Sequence, residues 1–189
     1  MNETIVALSS GTMKAAIAII RLSGSQSFEI LSAIFSNQKQ YEHQKIYYGY
    51  IMDQQDVVDE VMVSCFLAPH SFTCENMVEI NCHGNPYIIQ HIIALCIQHG
   101  ARLAERGEFT KRAFLNGRID LVKAESINDL IMASNKQAVQ LALSGLKGLT
   151  SKYVVDLSEQ LLDVMGTIEV NIDYPEYDIE EVSYQKIED

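Results

Sequence analysis

One stretch of this sequence constrains the fold more than any other. Between Asn135 and Ile172 there is no proline, and apolar or small residues fall at Ala138, Leu141, Ala142, Gly145, Leu146, Leu149, Tyr153, Leu157, Leu161, Met165 and Ile168. That is the 3.6-residue period of an amphipathic helix, and it predicts one helix sustained over 30 or more residues. A helix longer than about 25 residues is not an isolated surface element and expects a bundle or a partner helix. The stripe is accordingly read as core packing, not as a cofactor box. Pro175 stops or kinks the helix, and the final DIEEVSYQKIED reads as a further acidic helix. Two shorter helical runs, Glu108–Leu115 and Asp120–Ala133, precede the long one.

The residues before Gly107 behave differently. Thr4–Leu8 is a short apolar run and Ala15–Leu22 a longer, β-branched one, so both predict strands. Ser25 is a candidate N-cap for a helix through Phe28, Leu31, Ile34 and Phe35. Lys45–Ile51 and Val57–Leu67 predict a strand pair around the polar DQQD segment, and Asn76–Cys82 alternates as a strand should. Pro86 suits the first position of a helix through Ile88, Ile92, Leu95 and Cys96. The predicted fold class is α+β: a small N-terminal mixed β-sheet domain with flanking helices, followed by an all-α helical segment. The boundary is placed near Arg118–Asp120, giving domains 1–118 and 119–189.

Composition excludes several functions. No run approaches the ~20 apolar residues of a membrane span, so no membrane association is expected. The opening MNETIVALSS has no basic n-region, so no signal peptide is expected either. Cys65, Cys74, Cys82 and Cys96 form no CxxC pair and read as reduced, cytoplasmic thiols. With His70 and His83 they lack metal-finger spacing, so no metal site is assigned. Fourteen Lys and Arg against 25 Asp and Glu leave a net charge of -11. Phosphate neutralisation needs a basic surface, so the chain is a poor stand-alone binder of RNA.

Four segments carry more than fold class: TIVAL with AIAIIRLSG, SFTCENMVEINCHGNP, GEFTKRAFLNGRIDLVKAESINDLI, and NIDYPEYDIEE. In order and at about its spacing, each resembles a signature of the MnmE (TrmE) family of tRNA-modifying GTPases, and together they span nearly the whole chain. The resemblance implies the family's N-terminal, aminomethyltransferase-like domain, which binds 5-formyl-tetrahydrofolate and homodimerises. The start of its helical domain follows. It further implies a role in installing carboxymethylaminomethyl at the wobble uridine of tRNA, in the cytoplasm, with the flavoprotein MnmG (GidA) as partner. Contact with tRNA is then indirect, through the full-length complex. GTP, Mg and K belong to the family's inserted GTPase domain. No G-x-x-x-x-G-K-[ST] phosphate loop occurs in this sequence, nor does the family's C-terminal cysteine motif, so a chain without the GTPase domain and without GTP hydrolysis is expected. No catalytic residue is assigned.

Carried over by motif, the family's folate contacts fall on Arg21, Glu79 and Arg118. The chemistry suits them. A pterin presents an adjacent ring N–H and amino group, which match an acceptor-only carboxylate, and the folate's glutamate tail calls for cations. On pattern alone, plainer readings stand beside these. Arg21 reads as a strand-end residue snorkelling to water, Glu79 as the solvent face of an alternating strand, and Arg118 as a turn cation. Glu75, Asn116 and Asp120 read as capping or turn residues. His83 invites acid–base chemistry but reads more simply as a structural hydrogen bond at a strand end. Departures from the family pattern include Lys14 for an arginine, alanines for glycines in SSGTMKAA, Cys74 for the glycine of the FTGE turn, Asn85 for a glycine and Arg106 for a proline. The altered loop from Ser9 to Ala18 motivates an alternative function: a non-catalytic, partner-docking module with a degenerate folate pocket. A stand-alone one-carbon transferase lacks an obvious acid–base pair.

Overall fold

The computed structural model describes residues 3–11, 14–37 and 40–173. The chain divides into two compact units, Met1–Ile119 and Asp120–Asp189. Pro175 and the closing acidic segment lie outside the described residues, as do Thr12 and Met13 of the altered loop.

The first unit is a six-stranded sheet. Its strands are β1 (Ile5–Leu8), β2 (Ala15–Ser23), β3 (Lys45–Asp53), β4 (Asp56–Phe66), β5 (Met77–Gly84) and β6 (Arg102–Leu103), in the order β3-β4-β5-β2-β1-β6. All neighbours are antiparallel except β1 and β6, which run parallel, so the sheet is mixed as the sequence predicts. Because side chains alternate across a strand, Ala18, Ile20 and Leu22 of β2, Val61 and Val63 of β4 and Val78 and Ile80 of β5 share one buried face. The helices α1 (Ser27–Ile34) and α2 (Pro86–Gln98) bury Ile30, Leu31, Ile34, Ile89, Ile92 and Leu95 into the same core. Register puts the intervening residues on the other face, with Arg21 opposite Glu79, Ile19 opposite Asn81, and Asn81 opposite Met62.

Local chemistry explains most of the boundaries. Pro86 is the first residue of α2, and the Asn85 side chain accepts a hydrogen bond from the Tyr87 N–H at 2.9 Å. The predicted Ser25 cap is corrected by one residue. Helix α1 starts at Ser27 with Gln26 in the cap position and no side-chain cap. Thr4 does the work instead, its Oγ1 accepting the Gln26 N–H at 3.0 Å. The cause is a turn at Gly24 (φ 138°), packed so closely that a Cβ there would lie 2.7 Å from the Thr4 backbone.

The second unit holds α4 (Leu121–Met132), α5 (Lys136–Leu146) and α6 (Leu149–Asp173). Asp120 and Asn135 cap the first two, accepting from the Lys123 and Ala138 N–H groups at 2.7 and 2.9 Å. The single helix predicted from Asn135 to Ile172 is corrected to two. The break falls at Lys147-Gly148, where Gly148 takes φ 78° and its N–H turns back to the Gly145 carbonyl at 2.9 Å. Glycine adopts that left-handed turn without the Cβ penalty, which ends a helix. The apolar stripe continues in phase across the break, which hides it from a periodicity argument. The stripe is also less buried than core packing requires. Ala142 and Gly145 of α5 are buried, whereas Leu149, Tyr153, Leu157, Leu161, Met165 and Ile168 of α6 are exposed. Among the described residues no helix is long and apolar enough to cross a membrane.

Candidate functional site

Arg21 on β2 and Glu79 on β5 are directly cross-strand partners on the face of the sheet away from α1 and α2. Their flanking residues Ile20, Leu22, Val78 and Ile80 are fully buried on the opposite face, so the alternation fixes where the two charges point. The Arg21 Nε and Nη2 both donate to one carboxylate oxygen, Glu79 Oε1, at 2.9 and 2.6 Å. The side chains are 24% and 21% exposed. Arg21 therefore does not snorkel freely to water, and Glu79 does not stand alone on a solvated face. Among the described residues, no donor reaches the second oxygen, Glu79 Oε2.

Aromatic rings lie against this pair. The Arg21 Cζ is 5.5 Å from the ring centroid of Phe72, in the loop between β4 and β5. It is also 5.5 Å from that of Phe109, on α3 (Glu108–Leu115). Arg118 reaches the same Phe72, its Cζ 5.0 Å from the ring centroid and its Nη1 donating to the Phe72 carbonyl at 3.1 Å. That is the range of a cation–π contact. No carboxylate pairs with Arg118 among the described residues. Arg21 and Arg118 thus reach one aromatic side chain from β2 and from the turn after α3, and Glu79 of β5 joins them through its ion pair with Arg21. A cavity of about 430 Å³ adjoins, lined by Phe66, Pro69, His70, Phe72, Cys74 and Arg118 among others.

What holds Phe72 and Phe109 in place is a buried polar network that sequence reasoning missed. Arg112 of α3 is 2% exposed. Its Nη1 donates to Glu75 at 3.0 and 3.2 Å, and its Nη2 to the Glu3 carbonyl at 2.9 Å and to Glu108 at 3.0 Å. Glu108 in turn takes two bonds from Arg102, at 2.7 and 3.1 Å, and one from the Glu105 N–H at 2.8 Å. Chiefly through the Arg102 hydrogen bonds, its carboxyl is held down at about 2. Glu75, read as a cap or turn residue, instead links Arg112 to the Ser23 hydroxyl at 2.7 Å. Ser23 also meets the buried Thr73 hydroxyl at 2.6 Å, and Asn116 donates to the Thr73 carbonyl at 2.6 Å. The loop carrying Phe72 is therefore tied to β2 and to the C-terminal part of α3. Cys74 sits in this loop at φ 59°, a left-handed conformation that costs a residue with a Cβ about 1–2 kcal/mol. Only the i, i+4 spacing of Glu108 and Arg112 was visible in the sequence as a signal.

The remaining candidates are structural. His83 Nδ1 lies 2.6 Å from Asp59 Oδ1, and its backbone N–H donates to Asp59 Oδ2 at 2.8 Å, a bond at the end of β5 as read from the sequence. All four cysteines are free, and burial pushes Cys65, Cys82 and Cys96 up to about 12, 11 and 12. These three thiols are poor nucleophiles. The arrangement as a whole offers an acceptor carboxylate, two aromatic rings and an unpaired guanidinium. It fits a flat ring with adjacent donors that also carries negative charge.

Known proteins resemble the chain along its length. Residues 4–118 match the family described as GTP-binding protein TrmE N-terminus, and residues 121–189 match the MnmE helical domain. Both halves thus fall in one class of GTP-binding protein, in which a sheet domain precedes a helical one. The chain belongs to the MnmE (TrmE) family of tRNA modification GTPases. It is 43% identical over 189 residues to the tRNA modification GTPase MnmE of Mycoplasma mycoides subsp. mycoides SC, covering 100% of this chain and 41% of that protein. The MnmE of Lactococcus lactis subsp. cremoris (strain MG1363) is 48% identical over 178 residues, covering 93% of this chain and 39% of the relative. That of Bacillus subtilis (strain 168) is 46% identical over 191 residues, covering 97% and 42%. The chain spans about two fifths of the length of these relatives.

Proposed function

We propose that residues 1–118 form a 5-formyl-tetrahydrofolate-binding and dimerising domain and residues 119–189 the start of a helical domain. Together they serve a GTPase that modifies the wobble uridine of tRNA. The observation that carries this reading is the cluster in which Arg21 and Arg118 both reach Phe72 and Arg21 pairs with Glu79. The Glu79 carboxylate is the acceptor for the ring N–H and amino group of the pterin, Phe72 and Phe109 offer flat apolar surface to the ring, and the guanidinium groups answer the anionic tail. In this reading two copies associate through the sheet domain, and the flavoprotein MnmG and tRNA are met in the full-length assembly.

Titration calorimetry with 5-formyl-tetrahydrofolate tests the ligand. The folded chain should bind it at micromolar concentration, and Glu79→Ala should lose at least about tenfold in affinity, because a charge-assisted donor pair contributes about 1.5–3 kcal/mol. Absence of uptake by the folded chain at high micromolar ligand would overturn it. The exposed apolar face of α6 supports a second reading, partner docking without folate. Capture of the flavoprotein by a chain that takes up no folate would favour that one.

A further inference from the structure

The Arg21–Glu79 pair has a chemistry of its own. A guanidinium offers adjacent N–H donors from a planar group, and here two of them, Nε and Nη2, converge on Glu79 Oε1 with the plane held against Phe72 and Phe109. The hydrogen-bonding edge of a pterin is itself a guanidine fragment closed into a ring: an N–H next to an amino group on one carbon, in a flat heterocycle. Arg21 therefore satisfies the same carboxylate, against the same two aromatic rings, with the same donor pattern that such a ligand would present.

We infer that Arg21 is an internal surrogate for the ligand, occupying Glu79 until a flat, guanidine-bearing heterocycle displaces it. The inference rests on the folate reading of this site and adds what the site selects and what must move. The guanidinium is free to leave because it has no other protein hydrogen-bond partner among the described residues. The ion pair is also partly open to water, at 24% and 21% exposure, so breaking it is not prohibitive. Glu75, Glu108 and Arg112 do not exchange in this way. Their charges are locked to one another by hydrogen bonds, and Glu108 and Arg112 are buried. Two consequences follow. The site discriminates for rings with two adjacent donors and against rings that lack the amino group, which cannot replace the second donor of Arg21. And a displaced Arg21 is a cation newly available to the negative end of the ligand.

A tail-less tetrahydropterin separates displacement from tail binding. By calorimetry it should bind Arg21→Met about three- to tenfold tighter than the unaltered chain, because the ligand no longer competes with a resident guanidinium. Methionine keeps apolar contact with the two rings, and thermal melts establish that the variant is folded. For 5-formyl-tetrahydrofolate the advantage should shrink or reverse, since the released cation is gone. Equal or weaker binding of the tail-less pterin by Arg21→Met would overturn the surrogate role while leaving the folate site standing. If Glu79→Gln bound both ligands as well as the unaltered chain, the site itself would be wrong and the inference would fall with it.

Discussion

Arg112 shows what one buried charge does for its surroundings. Its guanidinium lies between the carboxylates of Glu75 and Glu108 and also holds a backbone carbonyl at Glu3. Removing it leaves two carboxylates that have lost a partner in a place water barely enters. Arg112→Ala should therefore destabilise the sheet unit by about 3–5 kcal/mol in chemical denaturation, and lysine should not restore it, because one ammonium cannot reproduce the forked donors. Glu108 adds a pH dependence. Its carboxyl is lowered from 4.5 to about 2 in the folded chain, so the unfolded state binds the proton more readily. The stabilisation is present in full above about pH 4.5 and is lost as pH falls towards about 2. Glu108→Gln should flatten that part of the acid unfolding profile. Of these residues the sequence disclosed little. Arg21, Glu79 and Arg118 stand in recognisable motifs, whereas two of the three partners of Arg112 lie 37 and 109 positions away, and no local pattern encodes such a meeting.

Among the elements, strands were more legible than helix ends. The alternation along β2 and β5 declares which face is buried, and the same alternation aims Arg21 and Glu79 away from the core. The helical half was misread where two signals disagreed. Periodicity runs unbroken from α5 into α6, but a Lys-Gly pair near the end of one apolar run is a stop signal, and the backbone obeys it. Gly145 is a different case, a glycine kept for space. A Cβ there would fall 2.0 Å from Ser126 Oγ on α4, so α4 and α5 pack as closely as they do only because that side chain is absent. Gly145→Ala should cost about 1–3 kcal/mol through overpacking, even though alanine is the better helix former. Melting Gly145→Ala beside the exposed control Gly166→Ala, which meets no atom within 4 Å, separates the two effects. A Gly145→Ala protein as stable as the parent would refute the close packing of α4 on α5.

At the scale of the molecule, the architecture followed from the sequence more readily than the site did. Fold class needs only patterning and turn chemistry, and those are local. The site needs contacts between distant parts of the chain. Arg21 and Glu79 are 58 positions apart, and Arg118 meets the carbonyl of Phe72 across 46. Long-range pairings of this kind are entropically slow to close. The parallel pairing of β1 with β6 and the reach of Arg112 back to Glu3 close the sheet unit from its two ends. A chain emerging from the ribosome consequently carries the Arg21 cluster only in part. Until residue 118 has been synthesised, Phe109 cannot meet Arg21 and Arg118 cannot meet Phe72, so the cluster is completed only by the last turn of the unit to be made.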